Sequence, residues 1–203
     1  PWLAALFGVP LAYSFALFGV WPLCASTFGV SAHVQTRIAV GLGAASALGR
    51  VLLGGLSDAA PDTAGRRLSW EICCAASLLA FVAGFAVLDW SPGRRFDLAL
   101  WLQSFGYGGV LALAPAALQA RFPARDIGLA YGLLYQITAV AFTAFSRTAA
   151  APVGSAGATW FRAWFRAAGM LHTIVLMWCL TRCISLAERY FGKPGVAPRI
   201  AAS

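Results

Sequence analysis

Six long apolar runs, separated by short polar stretches, make up most of the chain. Most of these runs reach the length of about 20 residues that a helix needs to cross a bilayer. The predicted spans are 2–27, 34–57, 70–89, 98–120, 127–146 and 164–183. Only 11% of the 203 residues are charged, against about 25% in a soluble domain, so the chain cannot cover these runs with a water-compatible surface. The sequence therefore predicts an all-α polytopic membrane protein, a bundle of six transmembrane helices.

The predicted bundle occupies residues 1–186, and a cytoplasmic tail is expected at 187–203. The first apolar run begins at Pro1 without a charged segment before it, so it does not have the pattern of a signal peptide. We expect the chain to be a fragment that begins just inside a helix.

The net charge of +8 comes from arginines, with one lysine, that lie between the apolar runs rather than on one stripe. That distribution is typical of the loops of a membrane protein, and nucleic acid is not an expected partner. The five cysteines lie in or at the ends of apolar runs without a CxxC spacing, so we interpret them as packing residues and expect no metal site. They are Cys24, Cys73, Cys74, Cys179 and Cys183.

The stretch from Arg50 to Arg67 carries the most specific motif in the chain. An apolar, Gly-rich run ends in an acid, and a short polar loop then carries two arginines. This order resembles the loop signature of the major facilitator superfamily, Gly-x-x-x-Asp-x-x-Gly-Arg-Arg, except that four extra residues, about one helical turn, split it. Asp58 and Asp62 are therefore both candidates for the acid. The matching residues are Gly54, Asp58, Asp62, Gly65, Arg66 and Arg67.

A second resemblance lies between residues 106 and 132. This region is similar to helices ten and eleven in the branch of that superfamily with monocarboxylate porters and oxalate/formate-type exchangers. Its matching residues are Gly106-Tyr107-Gly108-Gly109, Pro115, Phe122-Pro123, Gly128 and Tyr131-Gly132. With the spacing of the six spans, the resemblance covers nearly the whole chain and matches the carboxy-terminal half, helices seven to twelve. An amino-acid porter of the same superfamily is an alternative.

The resemblance implies two six-helix bundles that rock about a central site near mid-membrane. This chain would be one bundle, and its partner would be the missing amino-terminal half. In the gating loop, a carboxylate would meet the positive end of a helix dipole in the other bundle, and the arginines would cross-link the loop. The alternative is a polar loop with an anchoring arginine pair.

Arg50 is the foremost candidate for contact with a solute. It precedes Asp58 by eight residues, which places it about 12 Å from the helix end. An arginine at that depth costs several kcal/mol unless it faces a cavity or a partner, and a carboxylate would be a bidentate partner. The resemblance also implies an anion-binding arginine on this helix. The alternative is an arginine that snorkels or caps the carbonyls of a neighbouring helix.

Further polar side chains inside the runs are candidates either for solute binding or for holding helices together. These candidates are Tyr13, Ser14, Gln103, Tyr107, Tyr131, Tyr135, Gln136 and Thr138. His172, in the sixth run, is interpreted as a packing residue with a backbone partner rather than as a proton carrier. Every acid lies at the end of a run or in a loop, so a proton-coupling acid is expected in the missing half, and exchange or facilitated diffusion is the alternative.

The sequence thus predicts transport of a small organic solute, with a carboxylate anion as the leading candidate, by alternating access in a bilayer. No HExxH, GxSxG or P-loop motif occurs, so an enzyme is not expected, and neither is a cofactor. A non-transporting six-helix membrane scaffold, or a divergent or truncated half-transporter, is the alternative from another class.

Overall fold

The computed structural model describes residues 3–59, 63–91, 94–149 and 157–191, and these residues contain helices but no strand. The helices are α1 (Val9–Thr27, preceded by a π-helical turn at Ala4–Gly8), α2 (Ala32–Asp58), α3 (Thr63–Trp90), α4 (Phe96–Gln119), α5 (Ile127–Ala149) and α6 (Gly157–Phe191). All six are long and apolar enough to cross a membrane. The predictions of an all-α chain and of six helices of spanning length are confirmed.

Two helices extend well beyond the predicted spans. Helix α3 begins at Thr63 rather than near Trp70, and α6 covers 35 residues, Gly157–Phe191, rather than residues 164–183. The added residues include good helix formers, such as Ala64 and Arg66 in α3 and Ala187 in α6. Hydropathy alone did not detect these extensions because the added turns of α3 are polar and those of α6 mix apolar with charged residues. Helix α6 is about 52 Å long, which exceeds the hydrocarbon thickness of about 30 Å.

Successive helices run in opposite directions, so at each end of the bundle three helices begin and the other three end. We call one end the Glu71 end; there α1, α3 and α5 begin, and α2, α4 and α6 end. We call the other the Trp90 end, where α3 ends and α6 begins. Arg37 pairs with Asp97 at the Trp90 end and links α2 to α4.

Three helices form the interior of the bundle. In α1, α3 and α4, 56% of the most apolar stretch is buried, whereas α2, α5 and α6 bury 22%, 11% and 28%. Helix α4 packs between α2 and α3, α6 packs on α3, and α5 packs on α1. Helices α2 and α5 therefore leave the largest shares of their apolar stretches uncovered.

Glycines allow α4 to contact both of its neighbours closely. A Cβ atom at Gly108 would overlap the carbonyl oxygen of Ser46 in α2, and one at Gly106 would lie 2.6 Å from the carbonyl oxygen of Ser77 in α3. The Ser104 hydroxyl donates a hydrogen bond of 2.7 Å to the Leu42 carbonyl, which also joins α4 to α2. Small residues thus replace side-chain packing with backbone contact, as is common between membrane helices.

An aromatic cluster around Tyr13 fills the centre of the interior. The Tyr13 ring is fully buried, with centroids 5.0 Å from Phe85, 5.1 Å from Trp164 and 5.3 Å from His172. His172 Nδ1 lies 2.7 Å from the Ala168 carbonyl oxygen. These contacts join α1, α3 and α6, and they match the interpretation of His172 as a packing residue with a backbone partner.

Candidate functional site

Arg50 lies on an exposed surface of α2, on the helix that packs against α4. The charge of its guanidinium acts on the hydroxyl of Tyr107 in α4, and the hydroxyl of Tyr135 in α5 also interacts with Tyr107. The Tyr107 ring is half-buried because Phe15 and Phe18 of α1 pack edge-on against it, at centroid distances of 5.8 and 5.2 Å. Tyr107 thus interacts with a cation of α2 and with a phenol of α5.

Tyr131 extends this group along α5. Its ring centroid lies 5.1 Å from that of Tyr135, one turn further along the helix, and Tyr135 is 38% exposed. We call Arg50, Tyr107, Tyr131 and Tyr135 the Arg50 face. A guanidinium offers a planar fork of donors and a phenol offers one O–H donor, so this face is suited to a small group rich in acceptor atoms, such as a carboxylate.

The structure places two of the predicted solute ligands inside the bundle, away from the Arg50 face. Tyr13 and Gln103 are both buried, and the Tyr13 hydroxyl donates to Gln103 Oε1 at 3.5 Å. The Gln103 side chain also packs on Gly84, where a Cβ atom would lie 2.7 Å from its Cγ. These contacts account for both residues as links between helices, and their binding of a solute stays a prediction.

The remaining polar candidates are divided between the interior and the surface. The hydroxyls of Ser14 and Thr138 are buried and donate to carbonyls one turn earlier, Pro10 at 2.7 Å and Leu134 at 2.9 Å. Gln136 is exposed on α5, next to Tyr135 in sequence. The hydroxyls of Ser14 and Thr138 thus form hydrogen bonds within their own helices. The Gln136 side chain is accessible to a ligand, and its binding of a solute stays a prediction.

The predicted gating loop is shorter than expected, because only residues 59–62 separate α2 from α3. Asp58 is exposed at the last position of α2. Gly54 lies one turn earlier, where a Cβ atom would approach Ala112 Cβ to 3.3 Å, so it contributes to the α2–α4 contact. The Ser69 hydroxyl donates to the Leu56 carbonyl at 2.9 Å and connects the two helices behind the loop.

The second half of the motif lies in helix rather than in loop. The backbone of Gly65, Arg66 and Arg67 belongs to the first turns of α3, whereas Asp62 and the side chains of Arg66 and Arg67 lie outside the described residues. The choice between Asp58 and Asp62 as the acid of the motif stays open.

A buried ionic cluster, which the sequence analysis missed, lies at the Glu71 end. The Glu71 side chain has no exposed surface, and its Oε1 lies 3.4 Å from Arg121 Nη2 and 3.5 Å from Arg182 Nη2. The cluster joins α3, the α4–α5 connection and α6. The sequence places Glu71 at the end of the third run, but α3 begins at Thr63, so Glu71 lies eight residues into the helix. The expectation that every acid lies at the end of a run or in a loop is therefore wrong for Glu71, because a buried carboxylate lies in this half.

The chemistry of this cluster is that of a structural tie. A fully buried carboxylate is stable only when charged or polar partners replace its hydration. The side chains of Arg121 and Arg182 are 21% and 31% exposed, so both guanidiniums reach the surface while they contact the acid. These three charges together leave one positive charge at this end of the bundle.

Thiols and metal ligands do not form a second site in the part of the chain that the structure describes. All five cysteines are free thiols; four are buried and Cys183 is half-buried. In the described ranges, no group of three or more His, Cys, Asp or Glu residues is placed to hold a metal ion.

Comparisons of the chain with family models, with curated proteins and with solved structures found no match. The resemblance to the major facilitator superfamily therefore depends on the motifs and spans of the chain itself and stays a prediction. The fold defines a broader class: an all-α chain whose six long apolar helices are compatible with a multi-pass membrane protein.

Proposed function

We propose that this chain is one six-helix bundle of a secondary transporter that carries a small organic solute, with a carboxylate anion as the leading candidate, by alternating access. The observation that carries the proposal is the exposed Arg50 in an apolar helix, whose charge acts on Tyr107 of the neighbouring helix α4.

The depth of Arg50 supports a functional role. It lies 18 residues after the start of α2 at Ala32 and 8 residues before its end at Asp58, or about 27 and 12 Å along the axis. In a helix that spans the bilayer, this position lies within the hydrocarbon, where an arginine needs a water-filled cavity or a partner. Among the ion pairs of the described residues, none includes Arg50. A bound anion would supply the partner.

The neighbours of Arg50 favour a carboxylate over a neutral solute. The guanidinium can donate two parallel hydrogen bonds to the two oxygens of a carboxylate, which is the strongest pairing that its planar fork makes. The hydroxyl of Tyr107, on which the charge of Arg50 acts, is a further donor. Phe15 and Phe18 flank Tyr107 and offer apolar contact to the carbon skeleton of a small acid.

The uncovered helices support a second bundle opposite this face. Helices α2 and α5 bury the smallest shares of their apolar stretches, 22% and 11%, and both carry residues of the Arg50 face. A second bundle packed on them would close around the face and leave the solute near mid-membrane, where rocking of the two bundles alternates access. The family resemblance assigns this place to an amino-terminal half.

The motif at the Glu71 end supports gating. Asp58 is exposed at the end of α2, where a carboxylate can meet the start of a helix in the other bundle. A favourable contact with a helix dipole is worth about 0.3–1 kcal/mol, and up to about 2 kcal/mol when partly buried. Such a contact, made in one access state only, is enough to shift a balanced equilibrium between two conformations.

The test is uptake of radiolabelled monocarboxylates and dicarboxylates by proteoliposomes that contain the complete protein. We expect Arg50→Ala to abolish uptake without lowering expression, and Arg50→Lys to be poor because an ammonium group cannot reproduce the planar fork. Arg162→Ala, at an exposed arginine near the start of α6, is the matched control and should transport normally. Unchanged uptake kinetics in Arg50→Ala would refute the role of Arg50. If the wild-type protein accumulates neither carboxylates nor amino acids, the scaffold alternative is favoured.

A further inference from the structure

A basic pocket lies at the Trp90 end of the bundle, outside the Arg50 face. Its volume is about 410 Å³, and its lining combines two arginines with an indole and small side chains: Ala86, Val87, Trp90, Ser91, Arg94 and Arg95. Trp90 is 90% exposed. An exposed tryptophan at the end of an apolar helix is typical of the interface between lipid headgroups and acyl chains.

An apolar groove begins beside this pocket. It has a volume of about 640 Å³, lies between α3 and α6, and is lined chiefly by Val82, Phe85, Ala86, Gly169, Met170 and Ile174. Ala86 lines both the pocket and the groove. Ala86 and Val82 lie four and eight residues before Trp90, about 6 and 12 Å along α3, so the groove leads from the interface toward the middle of the membrane.

The charges around the pocket leave it positive. Asp89, the acid nearest in sequence, accepts a hydrogen bond of 2.7 Å from Arg166 Nε at the rim of the groove. Asp97 is paired with Arg37. Arg94 and Arg95 are both exposed and take part in none of the ion pairs of the described residues. Two positive charges thus remain to attract an anion.

We propose that the pocket and the groove form one binding site for an anionic phospholipid. The phosphate lies between Arg94 and Arg95, Trp90 contacts the glycerol region, and one acyl chain lies along the groove between α3 and α6. The inference depends on the membrane placement in the proposed function, but not on transport.

The arrangement selects an anionic lipid over a zwitterionic one. The phosphate of either lipid can pair with the arginines, but the two arginines then repel the ammonium of a zwitterionic headgroup unless a carboxylate lies nearby to offset them. Asp89 is paired with Arg166, so it is not available without breaking that bond. An anionic headgroup has no such requirement and neutralises more of the local positive charge.

The site also has a structural consequence for the helix pair. The groove is walled by α3 on one side and by α6 on the other, and Gly169 lets the helices approach, since a Cβ atom there would lie 3.1 Å from Phe85 Cβ. An acyl chain in the groove contacts both helices and adds dispersion contacts that hold them together. Bound lipid should therefore raise the thermal stability of the protein.

The test measures lipid retention by native mass spectrometry of the complete protein, titrated in detergent with phosphatidylglycerol or phosphatidylcholine. We expect wild-type protein to retain phosphatidylglycerol preferentially. The double variant Arg94→Gln/Arg95→Gln should lose roughly 30-fold in apparent affinity for it, from the attraction of two basic residues to an anionic lipid. The control Arg147→Gln/Arg162→Gln makes the same charge change at the same end of the bundle, outside pocket and groove, and should bind as the wild type does.

A second variant tests the groove separately from the charges. Ala86 is exposed where pocket and groove meet, so Ala86→Trp should fold normally, block the acyl chain and weaken phosphatidylglycerol binding. Equal retention of the two lipids by the wild type, or equal losses in the arginine variant and its control, would overturn the proposal. Competition by glycerol phosphate as strong as that by the whole lipid would also overturn it, because the groove would then contribute nothing.

A failure of the lipid site can be distinguished from a failure of the proposed function. Release of the protein from membranes by alkaline carbonate would contradict the membrane placement, and both proposals would fail. A protein that stays in the membrane and takes up solute, but shows no preference for phosphatidylglycerol, would overturn the lipid site alone.

Discussion

Replacing glycine by alanine at a close helix contact in α4 and at an open position in α2 is expected to distinguish the cost of overpacking from the gain in helix propensity. At Gly106, a Cβ atom would lie 2.6 Å from the Ser77 carbonyl oxygen and 2.8 Å from the Phe81 ring. At Gly43 in α2, nothing lies within 4 Å of the same atom. Both positions are inside helices, so Gly106→Ala and Gly43→Ala make the same chemical change in two different surroundings.

The magnitude follows from two opposing terms. Alanine in a helix interior is favoured over glycine by about 0.5–1 kcal/mol, and this gain applies to both variants. At Gly106, the Ser77 carbonyl would have to move by about 0.8 Å to reach ordinary van der Waals distance, and such overpacking costs typically 1–3 kcal/mol. Because the propensity terms cancel, Gly106→Ala should be less stable than Gly43→Ala by about 2 kcal/mol, with Gly43→Ala at or above the wild type.

The assay is thermal unfolding of the complete purified protein in detergent, followed by tryptophan fluorescence and by the fraction that stays monodisperse. A difference of about 2 kcal/mol corresponds to a Tm difference of about 4–8 °C for a chain of this size. Gly108→Ala should be at least as damaging, because its Cβ atom would overlap the Ser46 carbonyl. Equal melting temperatures for Gly106→Ala and Gly43→Ala would refute the reasoning, since they would show that α3 and α4 do not pack through this glycine.

The remaining predictions concern charges and the central ring cluster, and the same unfolding assay measures them. Glu71→Gln removes the carboxylate from two arginines and should lower the free energy of unfolding by about 2–3 kcal/mol. Breaking a fully buried ion pair costs about 3–5 kcal/mol, and the loss here is smaller because both arginines reach the surface. Glu188→Gln, at an exposed position, should change nothing, and equal effects of the two variants would contradict a stabilising role of the Glu71 cluster. Tyr13→Phe loses only a 3.5 Å hydrogen bond and should lower the free energy of unfolding by less than about 1 kcal/mol. Tyr13→Ala also loses the ring and should lower it by about 3–5 kcal/mol, so similar losses in the two variants would contradict a packing role of the ring. Arg37→Ala breaks a pair whose arginine is 54% exposed, so it should cost below about 1 kcal/mol, and a larger loss would show that the pair is stronger than an exposed one.

Hydropathy alone was enough to predict the helices of this chain. Six apolar runs gave six helices because a bilayer requires long unbroken stretches, and length is the simplest property to recognise in a sequence. The helix ends were less accurate, since the polar first turns of α3 and the added turns of α6, which mix apolar with charged residues, continue the helix without adding hydropathy. Residues 65–67 were consequently expected in a loop and lie in α3.

The candidate site was predictable only in part, because both the interior and the lipid-facing surface of such a protein are apolar. The polarity pattern cannot tell a buried face from an exposed one, and Tyr13 and Tyr107 were therefore equal candidates. Only the fold separates them, with Tyr13 in the interior and Tyr107 beside Arg50. Glu71 was missed for a related reason: its partners are 50 and 111 residues away in sequence, and no local pattern reports such a contact.

The order in which the Glu71 cluster forms has a consequence for biosynthesis. Glu71 is synthesised before Arg121, and Arg182 follows only near the end of the sixth helix. The carboxylate therefore reaches the membrane in a nascent chain that still lacks both of these partners, and the tie closes when α6 docks on α3. A ribosome that stops before Arg182 leaves the acid without one of its partners, and such a product should be recognised by the quality-control machinery that monitors polar groups in incompletely assembled membrane domains.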